Sequence, residues 1–209
     1  RTLDRMAEPA DDGVELTGLA AVKAKDPSFD MNQFLAGAKG AYEMVVNAFA
    51  QGDKATLLKS QLDTHPGEMA LVFSRTKHGA EKLMKHLDAS GYAAGSIHGN
   101  KSQNHRERTL KAFRDGELKV LVATDVAARG IDIPGVRHVY NYDMPNVPEN
   151  YVHRIGRTAR AGKDGTAVSF VAGDEMKLLR DIEKVTRQKI PVADRRNDKQ
   201  LAALDASIM

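Results

Sequence analysis

Short apolar runs alternate with amphipathic helical segments along most of this chain. The run Met69–Phe73 contains no charge and is bounded by turn residues, which is typical of a strand buried on both faces of a sheet. The next segment, residues 77–89, places Ala80, Leu83 and Leu87 at three- and four-residue spacing, which predicts an amphipathic helix. Strands that alternate with helices in this way indicate a parallel sheet covered by helices on both faces.

The same pattern predicts the other elements of an α/β domain. The predicted strands are 69–73, 93–97, 119–123, 138–142 and 166–171, and the predicted helices are 77–89, 103–114, 148–159 and 174–188. Ser102 is the expected N-cap of the second helix, because its side chain can accept a hydrogen bond from the first helical turn. Ligands of parallel sheets bind at the carboxyl ends of the strands, so the residues that follow each strand are the first candidates for a functional site.

The first 53 residues differ from this pattern. Residues 1–28 are rich in Asp, Glu, Gly and Ala and predict a flexible lead-in. In residues 29–53, apolar side chains recur at helical spacing up to an interruption at Gly52-Asp53, which predicts an amphipathic helix. This helix packs on its own domain or forms an interface with a partner or a second copy. Residues 54–191 are the predicted α/β domain and residues 192–209 a polar tail.

Composition restricts the environment of the chain. None of its 209 residues is cysteine, which excludes disulfides and cysteine-based metal sites. No apolar run reaches the ~18 residues of a membrane span, and the first residues do not have the pattern of a signal peptide. We therefore expect a cytoplasmic protein. The net charge of +3 and pI of about 9.0 fit a polyanionic partner and an ordinary solvated surface alike.

Residues 123–132, Ala-Thr-Asp-Val-Ala-Ala-Arg-Gly-Ile-Asp, follow a predicted strand. The small residues allow a ligand to approach the backbone closely, and Arg129 offers a planar set of donors suited to phosphate. Asp132 can accept hydrogen bonds from a ribose hydroxyl. A capped turn with a surface salt bridge explains this segment equally well when it is taken alone.

Residues 153–160, His-Arg-Ile-Gly-Arg-Thr-Ala-Arg, contain arginines three positions apart. On a helix, Arg154, Arg157 and Arg160 would lie on one side and repel one another unless an anion lay between them. Arginines directed at a phosphate stabilise the transition state of phosphoryl transfer. The alternative is a basic surface patch.

Residues 97–108 combine a strand end, a glycine turn and a helix N-terminus with Lys101, Arg106 and Arg108. Free backbone N–H groups at a helix N-terminus favour an anion. A capped helix with exposed basic residues remains the alternative.

Together with Ser74-Arg-Thr-Lys77 and the turn His98-Gly99, these segments resemble the successive motifs of the second lobe of DEAD-box RNA helicases. The resemblance extends over about residues 54–191, and the surrounding residues are most similar to the bacterial RhlE-type branch. It implies a RecA-like fold, ATP with Mg²⁺ as cofactor, and single-stranded or duplex RNA as partner.

The resemblance also implies roles for individual residues. Arg157 and Arg160 are expected to reach the γ-phosphate, with Arg160 as the main arginine finger, and His153 to link this motif to the cleft between the lobes. The expected ATP contacts are Asp132, Gly130, Arg157 and Arg160. The expected RNA contacts are Arg75, Gly99, Arg106, Thr124, Arg129 and Gly130. Contacts to the backbone alone fit sequence-independent binding, and an aromatic content of 5% leaves few rings to stack on bases.

Two motifs that family members carry on the first lobe do not occur in these 209 residues. They are Gly-x4-Gly-Lys-[Ser/Thr], which holds phosphates, and Asp-Glu-Ala-Asp, which holds Mg²⁺. We therefore expect half of an active site, inactive as an ATPase until a first RecA-like lobe is supplied on another chain or in the intact protein.

Upstream, Asp26-Pro-Ser-Phe-Asp30 and residues 34–49 resemble the start of Tim44-like domains. The resemblance ends near Gly52, which suggests a fusion, natural or engineered. Two hypotheses therefore stand beside the helicase lobe. One is a non-catalytic interaction protein that dimerises through the 29–53 helix, and the other is a Tim44-type membrane tether. We expect no membrane association.

Overall fold

The computed structural model describes residues 41–48, 51–158 and 165–193. Within these ranges the strands are β1 (Ala41–Ala48), β2 (Met69–Phe73), β3 (Ala94–Ile97), β4 (Val120–Ala123), β5 (Val136–Asn141), β6 (Gly165–Ala172) and β7 (Val192–Ala193). The helices are α1 (Gln51–Thr64), α2 (Lys77–Ala89), α3 (Gln103–Arg114), α4 (Asp125–Ala128), α5 (Pro148–Ile155) and α6 (Met176–Thr186), the last preceded by a 3-10 turn at Gly173–Glu175. No helix in the described ranges has the length and hydrophobicity that a membrane span needs.

The described strands form one parallel sheet in the order β3-β4-β2-β5-β6-β1-β7. Successive side chains of a strand point to opposite faces, so β2 contributes Leu71 and Phe73 to one core and Ala70 and Val72 to another. Side chains of α3, α5 and α6 complete the first core, and side chains of α1 and α2 complete the second. The predicted parallel sheet with helices on both faces is confirmed.

Hydroxyl side chains cap two of the helices that follow strands. Thr76 accepts a hydrogen bond from the backbone N–H of Gly79 at 3.0 Å, at the start of α2. Ser102 accepts one from the N–H of His105 at 3.3 Å, at the start of α3. The predicted cap at Ser102 is therefore confirmed, and both caps fix where the chain turns at the carboxyl edge of the sheet.

The predicted helix over residues 29–53 is wrong where the structure describes it. Residues 29–40 lie outside the described residues, as does the lead-in of residues 1–28, but Ala41–Ala48 forms a strand that pairs with β6 along its whole length. The apolar residues of this segment fit either period, and it includes Tyr42, Val45 and Val46, residue types that favour strands. Pairing with β6 satisfies backbone groups that a helix would leave unpaired on that edge of the sheet. The proposed dimer helix therefore does not exist over residues 41–48.

The domain boundaries and two helix boundaries also differ from the prediction. Because β1 and β7 belong to the sheet, the α/β domain extends beyond residues 54–191 on both sides. Gly52-Asp53 does not interrupt a helix but lies in the first turn of α1, where backbone N–H groups need no intrahelical partner. Helix α5 ends at Ile155 rather than residue 159, with Gly156 as its C-cap.

Candidate functional site

The predicted site residues follow neighbouring strands of the sheet. Gly99 follows β3, Thr124 follows β4, and Arg75 follows β2. Asp143 and Glu175, which sequence reasoning did not select, follow β5 and β6. Because these five strands are parallel and adjacent, their carboxyl ends lie at the same edge, where ligands of such sheets bind.

Residues 124–132 form the centre of this edge. Thr124 is the N-cap of the short helix α4, and Arg129, the C-cap, is exposed. Gly130 has φ of +75°, a conformation that favours glycine, and a Cβ built there would meet no atom within 4 Å. Asp132 is also exposed. The segment thus presents open backbone, a cation and a carboxylate close together in sequence.

Two arginines from different elements donate to backbone carbonyls of this segment. Arg106 of α3 donates from Nη2 to the carbonyl of Ala127 at 3.3 Å, and its buried Nε has no hydrogen-bond partner among the described residues. Arg157 donates from Nη1 to the carbonyl of Ile131 at 2.5 Å. The structure therefore brings together three segments that the sequence analysis identified separately.

Arg154 has a different environment. It is 1% exposed and donates from Nε and Nη2 to the two carboxylate oxygens of Asp125, at 2.6 and 2.8 Å. Its Nη1 donates to Oδ1 of Asn141 at 3.1 Å and to the carbonyl of Asp143 at 2.6 Å, and its guanidinium lies 4.9 Å from the centre of the Phe73 ring. These contacts occupy the guanidinium inside the protein.

The prediction that three arginines lie on one side of a helix is wrong for the two that the structure describes. Arg154 lies in the last turn of α5, but Arg157 lies beyond the helix, which ends at Ile155. Arg160 lies outside the described residues. His153 is half-buried in the last turn of α5. A three-residue spacing implies a shared side only while the helix continues.

Arg75 also contacts groups inside the protein. Its Nε and Nη2 donate to the carbonyl of Met144 at 3.1 and 3.0 Å, and Nη2 pairs with Glu175 at 2.6 Å. Lys54 of α1, fully buried, pairs with the other oxygen of Glu175 at 2.5 Å. Asp143 accepts from the backbone N–H of Arg75 at 2.9 Å. Glu175 had a sequence signal, an acid just after a strand, whereas Lys54 had none.

The loop that contains Gly99 is held by Glu81 of α2. The carboxylate accepts hydrogen bonds from Ser96 Oγ at 2.8 Å and from Nζ of Lys101 at 3.0 Å, and Nε2 of His98 lies 3.1 Å away. Burial alone would raise the pKa of Glu81, but Lys101, His98 and Ser96 outweigh it and lower the pKa to about 2. Glu81 therefore stays ionised and fixes the residues on both sides of Gly99.

Comparison with known families identifies the largest part of the chain. The model of the helicase conserved C-terminal domain matches residues 53–162, which is more than half of the sequence. The model of the Tim44-like domain matches residues 16–64, less than a quarter of the sequence, most of it outside the described residues. The Tim44-like start remains a prediction.

Individual proteins show the same similarity. The ATP-dependent RNA helicase CshA of Listeria monocytogenes is 51% identical over 138 residues, which cover 66% of this chain and 26% of that protein. The chain thus spans about a quarter of the length of this relative. Among solved structures, E. coli DEAD-box protein SrmB, bound to regulator of ribonuclease activity A, is 36% identical with a TM-score of 0.70, covering 77% of this chain and 93% of that one.

Two further structures contain RNA. S. cerevisiae Dbp5, bound to RNA and ADP BeF3, is 29% identical with a TM-score of 0.72, over 87% of this chain and 49% of that one. Domain 2 of the DEAD-box helicase Mss116p, bound to an RNA duplex, is 29% identical with a TM-score of 0.64, over 78% of this chain and 67% of that one. These likenesses confirm the predicted RecA-like fold.

Proposed function

Because the chain belongs to the DEAD-box RNA helicases, as their conserved C-terminal domain, we propose that it holds the RNA backbone and completes an ATP site together with a first lobe. The observation that carries this proposal is the convergence on residues 124–132, where Arg106 and Arg157 arrive from different elements. Three of the proposed RNA contacts, Thr124, Arg129 and Gly130, and the proposed ribose contact, Asp132, lie on this one segment. Nucleotide binding and RNA binding would therefore act on the same piece of backbone.

The RNA contacts are proposed at Thr124, Arg129, Gly130, Gly99 and Arg106. A Cβ at either glycine would meet no atom within 4 Å, so a phosphate can approach the backbone N–H groups. Arg129 is exposed, and guanidinium groups suit phosphate oxygens. Contacts of this kind position a strand without reading its bases, and they fit the RNA that Dbp5 and Mss116p bind.

Arg75 is a special case among the proposed RNA contacts. Its side chain is 33% exposed, and its pair with Glu175 orients the guanidinium. We propose that the exposed part contacts a phosphate while the internal part stays paired.

The ATP contacts are proposed at Asp132, Gly130, Arg157 and Arg160, with His153 next to them. Arg157 is held at the carbonyl of Ile131, the residue before Asp132, which brings a cation to the segment that carries the proposed ribose contact. When bound with Mg²⁺, ATP supplies the γ-phosphoryl group for transfer to water.

On this proposal, Arg157 and Arg160 stabilise the charge that develops on that phosphoryl group. His153 orients the arginine segment towards the cleft. The metal ion would be held by the first lobe, because the carboxylates that hold it are proposed to lie on the Asp-Glu-Ala-Asp motif, which is not part of this sequence. We also propose that the chain is of the RhlE type and acts in the cytoplasm.

The ATPase proposal is tested by mixing. RNA-stimulated ATP hydrolysis is measured for the chain alone and after addition of a separately produced first lobe of an RhlE-type helicase. We expect no activity alone and activity in the mixture, reduced ~10³-fold or more in Arg160→Ala and unchanged in Arg180→Ala, an exposed arginine of α6. Hydrolysis by the chain alone, or full activity of Arg160→Ala in the mixture, would refute the half-site.

The RNA proposal is tested by fluorescence anisotropy with a labelled single-stranded RNA at several salt concentrations. Arg129→Gln is expected to weaken binding and to reduce the slope of log affinity against log salt by ~0.7, the value for one lost phosphate contact on a single strand. Arg180→Gln is the matched control. An unchanged slope for Arg129→Gln would show that Arg129 does not contact a phosphate.

A further inference from the structure

A second cluster of titratable side chains lies at the opposite, amino-terminal edge of the sheet. His65 follows α1, Glu68 immediately precedes β2, and His138 lies near the start of β5. Strands β2 and β5 are neighbours, which brings together residues about 70 positions apart. One ligand atom from each side chain lies within 4.8 Å of the others. The cluster takes no part in the site at the carboxyl edge.

Contacts within the cluster leave its polar groups only partly satisfied. Nε2 of His138 contacts Oε2 of Glu68 directly, and Nδ1 of His65 lies 4.0 Å from the same oxygen. The two imidazole rings stack with centroids 4.2 Å apart and planes 28° apart. His138 is buried, and its Nδ1 has no hydrogen-bond partner among the described residues. The contact between His138 and Glu68 needs only two side chains, and His65 brings a third potential ligand to the same place.

We propose that His65, Glu68 and His138 bind a Zn²⁺ ion. Two imidazole nitrogens and one carboxylate oxygen form a ligand set that Zn²⁺ takes in three-ligand sites, with water in the fourth position. Imidazole also suits Cu²⁺ and Ni²⁺, so the site is selective for this class of ion rather than for Mg²⁺ or Ca²⁺. Metal binding requires neutral imidazoles and an ionised carboxylate.

The ligand atoms need only a local adjustment. Around a tetrahedral Zn²⁺ they lie ~3.3 Å apart, so the widest separation of 4.8 Å must shorten and the direct contact between His138 and Glu68 must open. The side chains of His65 and Glu68 are 37% and 41% exposed, so the adjustment falls on them, whereas that of His138 is 6% exposed and anchors the site. The ion would join the end of α1 to β2 and β5.

One charge opposes the proposed ion. Arg137, exposed and adjacent to His138, acts electrostatically on both Glu68 and His138. Its removal is expected to strengthen Zn²⁺ binding modestly, about twofold to fivefold for an exposed charge. Arg137→Gln is therefore a variant for which the proposal predicts a gain rather than a loss.

The test is titration calorimetry of the untagged full chain with ZnCl₂ at pH 7.5. With seven histidines and no cysteine in the chain, background binding is expected to be weak. His65→Phe keeps an aromatic ring against His138 but removes the nitrogens, and Glu68→Gln keeps the size and an acceptor oxygen but removes the charge. His86→Phe, at an exposed position of α2, is the control.

We expect one Zn²⁺ per chain for the unchanged protein and for His86→Phe. Binding should be more than ~100-fold weaker in His65→Phe and in Glu68→Gln, since losing even an outer-shell partner costs 10- to 100-fold. Zn²⁺ should raise the melting temperature of the unchanged protein and of neither variant. Affinities within about threefold of the unchanged protein in both variants, or no binding by the unchanged protein, would overturn the proposal.

Discussion

Replacement of Arg154 by Met should destabilise the domain strongly. The guanidinium makes a two-pronged pair with Asp125 and donates to Asn141 and to the carbonyl of Asp143, all within 3.1 Å. Met fills a similar volume but offers no donor. Four acceptor atoms on three residues would lose their partner at a position that is 1% exposed.

The expected loss is about 3 kcal/mol in the free energy of unfolding. Removal of one member of a buried ion pair costs ~3–5 kcal/mol because the other charge is left uncompensated. The carboxylate of Asp125 is 25% exposed and can regain water, which places the value at the lower end of that range. For a domain of this size, 1 kcal/mol shifts the melting temperature by ~2–4 °C, so Arg154→Met should melt roughly 6–12 °C lower.

Urea unfolding followed by far-UV circular dichroism measures the loss directly. Arg180→Met, at an exposed position of α6, is the matched control and should change stability by no more than ~0.5 kcal/mol. In a double-mutant cycle with Asp125→Asn, the two changes should be less than additive because they remove the same interaction. A loss below ~1 kcal/mol for Arg154→Met, or a loss equal to that of Arg180→Met, would refute the structural role and return Arg154 to the candidates for anion binding.

Two further predictions concern Glu81 and the glycines. Glu81→Gln should lower stability by ~1–2 kcal/mol at pH 7. Folding depresses the pKa of Glu81 from 4.5 to about 2. The loss of stability caused by Glu81→Gln should therefore have its full size above pH 4.5 and vanish as the pH falls towards 2. A loss of stability that does not change with pH would contradict this prediction. Gly95→Ala should cost ~1–3 kcal/mol, since its Cβ would lie 2.6 Å from Leu118 Cδ1 and 2.9 Å from Thr109 Cγ2. Gly130→Ala meets no atom and should cost only ~1 kcal/mol through its φ of +75°; thermal melts that reverse this order would refute the packing argument.

Local sequence predicted helices and strands correctly where the apolar residues of a segment fit a single periodicity and turn residues mark its ends. Met69–Phe73 and Lys77–Ala89 form at the predicted residues, because the first is uninterrupted and apolar and the second is strongly amphipathic. Ala41–Ala48 was predicted incorrectly because its apolar residues suit both periods. Its conformation depends on pairing with β6, more than a hundred residues away, and such long-range pairing cannot be inferred from a local window.

For the site, the sequence predicted which edge of the sheet carries it, but not which groups the individual site residues contact. Strand ends placed Arg75, Gly99 and Thr124 at the carboxyl edge, as the structure does. Spacing could not distinguish Arg154 from Arg157, because the difference depends on where α5 ends and on a carboxylate in another segment. Glu81 was missed for the same reason. An acidic residue on a helix is typical of a solvated surface, and its partners lie on another segment of the chain.

The partners of Arg154 and Arg106 distinguish the structural role of the first from the RNA contact proposed for the second. A carboxylate that pairs with a buried guanidinium neutralises it, as Asp125 does for Arg154, whereas the carbonyl that receives Arg106 orients the guanidinium without cancelling its charge. The Arg154–Asp125 pair also joins α5 to residues 124–132. If RNA binds on that segment and ATP binds beside the end of α5, as proposed, this partly buried ion pair lies between the two sites. We therefore propose that this pair contributes to the coupling of ATP binding with RNA binding.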